Sequence, residues 1–413
     1  MAVGLAMSLA AQTLRLASIQ INGSKRLPAD QVAAASGLTI GEPVSLQDLQ
    51  SAADRLAQLG LFEFVTYRYE TTATTISVEF VVEETARFRP CEFDNFVWMP
   101  REEVLARLQE EIPLFIGEAP PGGFLTDEVQ RVLAAILAER GIRARVVFFP
   151  TLSDTGGVNL FRIEGVPIPV ASLRFPGAAQ VDEEQLQRAS QSLLARDYSQ
   201  SFLRGFIQGT LLPLYRAKGF LRARFNAPQV AYLGEAEGTH PVVLTLPVEE
   251  GVPYRVREIR WSGNEVLSAG ELQKRVSLRV GDVADTVRLE ADLDRIRSEG
   301  YGERGHLLAR LRIEPEFDDE TRTAALTVRV EEGALYRFQA LVLEGLPASA
   351  AAELQKRWKL APGEPYNAVY VSSFIKDDVA AVLRRVSDRP VNIDSRLTRD
   401  DEHKTVILLL RFR

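Results

Sequence analysis

Residues 248–267, VEEGVPYRVREIRWSGNEVL, decide how the chain is read. One alternating run ends in Glu249-Glu250-Gly251, and a second starts almost at once and stops at Ser262-Gly263-Asn264. A strand finishes and another begins with no loop of consequence between them. Such an abutment is a joint, where one small domain closes and a like one opens, and it predicts that the joint recurs.

It does recur. Opening strands that end at a small turn-forming residue stand at Gly23, Asn95, Gly177, Gly263 and Gly345, spaced 72, 82, 86 and 82 residues apart. That period is long for a solenoid unit and suits small domains in tandem. A short helical stretch follows each one, and then, in four of the five, a turn with glycine (GLTIGEPV, PLFIGEAP, SLRVGDVA, KLAPGEPY). The second helix carries the clearest pattern: Leu46, Leu49, Ala53, Leu56 and Leu59 share one face at helical spacing. Ser45 and Asp48 have the spacing of a capping box ahead of it. Gly60, Gly141, Gly219 and Gly300 are expected to end the second helices in a left-handed cap, with Ser387-Asp388 in that place in the last repeat. Pro213 is expected to kink or divide its helix. Two runs with period-two alternation close every repeat, as in FEFVTYRYE followed by TISVEFVVEE.

The expected architecture is α+β. Five tandem β-α-α-β-β domains, at 14–85, 86–167, 168–253, 254–336 and 337–413, each form a three-stranded mixed sheet covered by two helices, in an elongated array. Residues 1–13 read as the apolar tail of a secretory signal or as a disordered N-terminus. The short joint Glu249–Tyr254 is expected to be stiffer than Glu164–Val170, which holds two prolines.

Composition narrows the function classes. The formal charge of −7 leaves no basic footprint for nucleic acid. One cysteine, Cys91, excludes an internal disulfide framework, and His240, His306 and His403 are too far apart to form a local ligand motif. The Glu-Glu pairs at 83–84, 102–103, 183–184, 249–250 and 331–332 read as strand exits and helix starts, since strand neighbours point to opposite faces. The EFDDE stretch, Glu316–Glu320, reads as a hairpin turn rather than a metal loop, and Ser153–Gly157 as turn chemistry. Trp98, Trp261 and Trp358 read as packing residues. No catalytic residue, metal site or cofactor site is expected.

The order β-α-α-β-β, the glycine after the second helix followed by an apolar or aromatic residue (Gly60-Leu61-Phe62, Gly219-Phe220, Gly300-Tyr301), and the closing V-E-E-G with a tyrosine soon after resemble the polypeptide-transport-associated, or POTRA, domain. The closing signature stands as VEEGVPY at Val248–Tyr254 and VEEGALY at Val330–Tyr336, with VVEETARF in the first repeat. Five such units resemble the periplasmic arm of BamA-type outer-membrane assembly factors. In that family the arm is followed by a membrane-embedded barrel. Both a barrel-less relative and a piece of a longer protein remain open.

The resemblance implies a periplasmic protein tethered at the outer membrane. Its partners would be unfolded outer-membrane β-barrel proteins, periplasmic chaperones or accessory lipoproteins, and the outer membrane itself where a barrel is attached. It also implies that the first closing strand of each unit is an exposed edge, onto which an extended client adds as a further strand. The candidate edges are Arg222, Ala223, Arg224, Phe225 and Asn226 in the third repeat, and Arg143, Ala144, Arg145, Val146, Val147, Phe148 and Phe149 in the second. Pro150, Pro228 and the Arg224 charge could instead protect those edges from pairing. The alternatives are a periplasmic scaffold or chaperone-like interaction array, and the arm of a secretion pore.

Overall fold

The computed structural model describes residues 14–153, 156–386 and 391–413. The signal-like stretch 1–13 and the expected helix end at Ser387-Asp388 lie outside the described residues.

The first repeat shows why these sequences make sheets. Its strands are β1 (Leu14–Asn22), β2 (Pro43–Val44), β3 (Phe62–Thr71) and β4 (Thr75–Glu84), in the order β2-β1-β4-β3. Alternation in β4 buries Ile76, Val78, Phe80 and Val82 on the helix-covered face. β4 is central: it pairs in parallel with β1 and antiparallel with β3. The helix Leu46–Gln58 lays Leu49, Ala52, Ala53 and Leu56 on the sheet, and the Ser45–Asp48 capping box forms. Leu46, expected on that face, is 52% exposed, because the buried stripe starts one turn later.

The second repeat repeats this plan with β5 (Arg89–Phe93), β6 (Glu118–Ala119), β7 (Arg145–Ser153) and β8 (Gly156–Glu164), ordered β6-β5-β8-β7. These two sheets therefore have four strands rather than the expected three. Residues of the turn before the second helix add a two-residue strand beside the opening one.

The third repeat departs most from expectation. β9 (Val170–Arg174), β11 (Gln229–Tyr232) and β12 (Val242–Thr245) form one sheet, while β10 (Arg224–Phe225) and β13 (Val248–Glu249) form a separate pair. Pro228 and Pro247 supply no N–H to the ladder between these segments, and a strand interrupted by proline does not continue. The described chain accordingly forms two compact groups, one of residues up to 174 with 190–205 and 227–246, the other of 175–189, 206–226 and 247–413.

In the second group, β14 (Arg255–Ser262), β15 (Arg310–Asp318) and β16 (Thr323–Glu331) are ordered β14-β16-β15. The last sheet has β17 (Arg337–Glu344), β18 (Ile393–Asp400) and β19 (Thr405–Phe412) in the order β17-β19-β18. Alternate residues of β16 and β19, such as Leu326, Val328, Leu408 and Leu410, are almost fully buried.

Glycine is required at the turn after the opening strand. Gly263 sits at φ +78°, and a Cβ there would lie 2.3 Å from the Val330 carbonyl oxygen; Gly23, Gly177 and Gly345 repeat this approach to Val82, Val248 and Phe412. In the second repeat Asn95 replaces it, and its side-chain amide both donates to and accepts from the backbone of Ile163.

One helix-end expectation needs correction. Gly300 lies inside a widened helical turn, Ile296–Tyr301, and the left-handed residue is Gly305 at φ +81°. The spacing that matters is Tyr-x-x-x-Gly, as in Tyr215/Gly219 and Tyr301/Gly305, where the tyrosine is buried and the glycine turns the chain. Pro213 does follow a widened turn, Ile207–Leu211, which takes up its missing N–H. The same widening at Phe374–Val379 occurs without a proline.

Candidate functional site: free sheet edges and the joints

In each of the four complete sheets the first closing strand is outermost, so β3, β7, β15 and β18 each leave one side of the backbone unpaired within the sheet. The hairpin bond from Thr72 N–H to the Thr75 carbonyl (2.9 Å) sets the parity of β3. Residues 64, 66, 68 and 70 then point their backbone groups at β4, and Val65, Tyr67, Tyr69 and Thr71 point theirs at the open edge. In β18 the reciprocal bonds between Asn392 and Arg413 leave Ile393, Ser395, Leu397 and Arg399 facing out.

The two proline-bearing edges differ. Pro315 lies within β15 and Pro150 within β7, and a strand proline belongs where its missing N–H would face solvent. In β7 the Val146 carbonyl also accepts from Gln130 Nε2 at 3.0 Å, so part of that edge is occupied. Of the second-repeat candidates, Arg143 and Ala144 precede the strand. Arg145 pairs with Glu164 at 2.5 Å, Val146 is buried, Val147 is half-buried, Phe148 packs on Phe161, and Phe149 is exposed.

The third-repeat candidates do not form a continuous edge. Only Arg224 and Phe225 are strand; Arg224 bonds Glu249, and Phe225 sits 6.0 Å from the Tyr215 ring. Asn226 is held by Glu249 and by the Pro247 carbonyl, whereas Arg222 and Ala223 belong to the turn ahead of β10. A four-residue edge stands instead at β11. Pro228 carries the signal for this break, which the alternation of residues 222–226 conceals.

Sequence reasoning missed the role of the second glutamate of V-E-E-G. Glu84 accepts from the backbone N–H groups of Lys25, Arg26 and Leu27 and from Ser24 Oγ. Glu250 does the same for Ala179, Gln180 and Val181, and Glu332 for Glu265 and Val266. Each carboxylate closes the turn after its own repeat's opening strand. Burial pushes the Glu84 and Glu250 carboxyls up, but the converging N–H groups outweigh it and hold both below the ordinary value. The signal was the fixed place of this glutamate two residues after the closing valine, Val82, Val248 or Val330.

The joints come in two kinds. In the second group, Tyr254 N–H donates to the Gly219 carbonyl (2.9 Å) and Tyr254 Oη donates to Asp319 at 2.5 Å. Arg222 also bonds Asp319, at 2.9 Å, and lies 4.4 Å over the Phe317 ring. The next joint copies the first: Tyr336 N–H donates to Gly305 (2.9 Å) and its hydroxyl to Asp401 (2.6 Å). Asp319 and Asp401 sit in matching hairpins, DDETRT and DDEHKT, with Arg322 and Lys404 at positive φ. The EFDDE stretch is thus a hairpin whose carboxylate anchors a tyrosine.

In the first group the polar side chains do this work. Asp94, fully buried, accepts from Arg162 Nε (2.9 Å), Ser199 Oγ (2.8 Å) and Ser201 N–H (2.8 Å), and its carbonyl takes Gln200 N–H. Burial, then the Asp94 charge, pushes the Tyr198 phenol up to about 12. Trp98 Nε1 donates to His240 Nδ1 at 3.2 Å, and Tyr232 Oη lies 2.9 Å from the same nitrogen. That nitrogen must accept, so the ring proton sits on Nε2.

Burial also pushes the Cys91 thiol up to about 12, which leaves it unreactive. Among the described residues, no three His, Cys, Asp or Glu side chains converge as a metal cage. No helix there is long and apolar enough to cross a membrane.

Residues 14–85 and 254–333 match the family described as POTRA, surface antigen variable number repeat. A Treponema pallidum (strain Nichols) protein named "Putative outer membrane protein assembly factor" is 22% identical over 236 residues, which cover 55% of this chain and 28% of that protein. The chain thus spans little more than a quarter of that curated relative. Among solved structures, Haemophilus influenzae BamA POTRA3-5 is 24% identical with a TM-score of 0.46, covering 60% of this chain and 96% of that one. The N-terminal domain of Omp85 from Thermosynechococcus elongatus is 14% identical with a TM-score of 0.18, covering 77% and 97%.

Proposed function

We propose, from the premise that the chain is a BamA-like POTRA protein with members of that family at 14–85 and 254–333, that it serves outer-membrane protein assembly by holding extended client segments on its free sheet edges. The observation that carries this reading is β3: ten residues, no proline, and an outward row at Val65, Tyr67, Tyr69 and Thr71. Main-chain bonds to such a row accept any extended sequence, which suits clients whose strands alternate apolar and polar residues. Phe64 and Tyr69, 53% and 45% exposed, add apolar contact beside it. β18 is also free of proline, but Asp394, Arg396, Arg399 and Asp400 charge its exposed surface, as natural edges do to resist pairing. Arg145–Phe149 of β7 is a secondary edge, limited by Pro150, and Arg224–Phe225 contributes least.

In this reading the protein works in the periplasm at the outer membrane, with unfolded barrel proteins as clients and accessory lipoproteins as partners, and performs no chemistry. Amide hydrogen exchange tests it. Saturating extended peptides copied from barrel strands should slow exchange at Val65, Tyr67 and Tyr69 and leave the β15 edge unchanged. If no edge amide is protected at saturation, client addition fails and a pure scaffold takes its place.

A further inference from the structure

The second group builds the same joint twice, and only one copy is closed. In the first copy Arg222 bridges Asp319 and covers Phe317, and Arg224 pairs with Glu249. In the second copy Leu308 stands where Arg222 stood and is 40% exposed. Arg310, the counterpart of Arg224, lies opposite Glu331 in the ladder, and its guanidinium has no ion pair among the described residues.

A groove of about 680 Å³ opens there, between residues 297–310 and the first turn of the helix that starts at Ala368. Leu307, Leu308 and Val369 give it apolar walls, the latter two well exposed. Arg297, already bonded to Asp294, and Arg310 bring positive charge, and Glu299 is the sole carboxylate among the described lining residues. The lining thus sets two guanidiniums, one of them without an ion pair among the described residues, against one carboxylate and beside apolar side chains.

We propose that this groove docks a short extended segment of another protein in which an apolar side chain neighbours a carboxylate. The apolar side chain packs against Leu308 and Val369, and the carboxylate takes the unpaired Arg310, whose fork suits it in a way a lysine would not. The site is defined by side chains, unlike the backbone edge of β3, and it stands or falls separately.

The probe is a fluorescein-labelled octapeptide of alternating leucine and aspartate, with a leucine–lysine counterpart, titrated against the full chain by anisotropy. The aspartate peptide should bind about tenfold tighter than the lysine peptide, the range of one charge-assisted contact. Arg310→Gln should remove that preference. Leu308→Arg, which gives this joint the residue that closes its sibling, should weaken the aspartate peptide by about tenfold. Matching thermal melts and unchanged exchange in β16 and β19 would show that both variants are folded. Equal binding of the two peptides, binding that ignores both substitutions, or no saturable binding overturns the proposal.

Discussion

The joint at Asp94 and the joints at Tyr254 and Tyr336 solve one problem with different chemistry. At Asp94 a buried carboxylate gathers a guanidinium, a hydroxyl and one backbone N–H, the residue's backbone carbonyl takes a second N–H, and in the same group Trp98, Tyr232 and His240 meet. At Tyr254 and Tyr336 the backbone does most of the work: a tyrosine N–H meets a glycine carbonyl, and the glycine's missing Cβ permits the approach. The prolines of Glu164–Val170 suggest a loose connection, yet that segment is bonded to distant residues: Ile168 N–H donates to the Asp197 carboxylate and His240 N–H to the Pro167 carbonyl. Loop composition is a poor guide to a joint whose bonds come from distant sequence.

The comparison sharpens under mutation. Asp94→Ala should cost the most, about 3 kcal/mol, because it removes the one buried carboxylate that Arg162, Ser199 and Ser201 share. Region-resolved hydrogen exchange should place the loss in the first group and leave β14–β19 unaltered. Equal loss in both groups would break the contrast. Gly219→Ala and Gly305→Ala should follow at about 1–3 kcal/mol each, since a Cβ would lie 2.7 and 2.6 Å from the Tyr254 and Tyr336 carbonyl oxygens at positive φ. Denaturant unfolding should show similar losses at the two, as copies of one joint require.

Acid should give the smallest effect. The folded-state Glu250 carboxyl lies below the ordinary 4.5, so its contribution is complete above that pH and is lost as pH falls through the lowered value. Glu250→Gln should destabilise at neutral pH, with the gap from wild type narrowing below about pH 4.5. A gap that stays constant on acidification would remove the capping role.

Much of this fold was legible because period-two burial and turn glycines are local signals. The central strands follow from Ile76-x-Val78-x-Phe80 and its counterparts, and Gly263 announces its own turn. What escaped depends on partners far along the chain. Gly305 outranks Gly300 only because Tyr301, four residues earlier, is the buried residue. The break in the third repeat rests on two prolines nineteen residues apart, Pro228 and Pro247, each just outside the ladder of 229–232 with 242–245. The edge candidates lacked the same long-range information. Alternation marks a strand, but it cannot show that Gln130 has already taken the Val146 carbonyl.

The parallel pairing of each opening strand with its last strand has a mechanical consequence. In the fourth repeat Arg255 to Ser262 run beside Thr323 to Arg329 in the same direction, so the chain enters at one end of the ladder and leaves at the other. Tension along the chain pulls these two strands past each other and loads every rung together, whereas peeling β15 from its outer side breaks rungs one at a time. A protein built from such units resists being drawn out lengthwise and yields most easily at the edges where another strand would be added or removed.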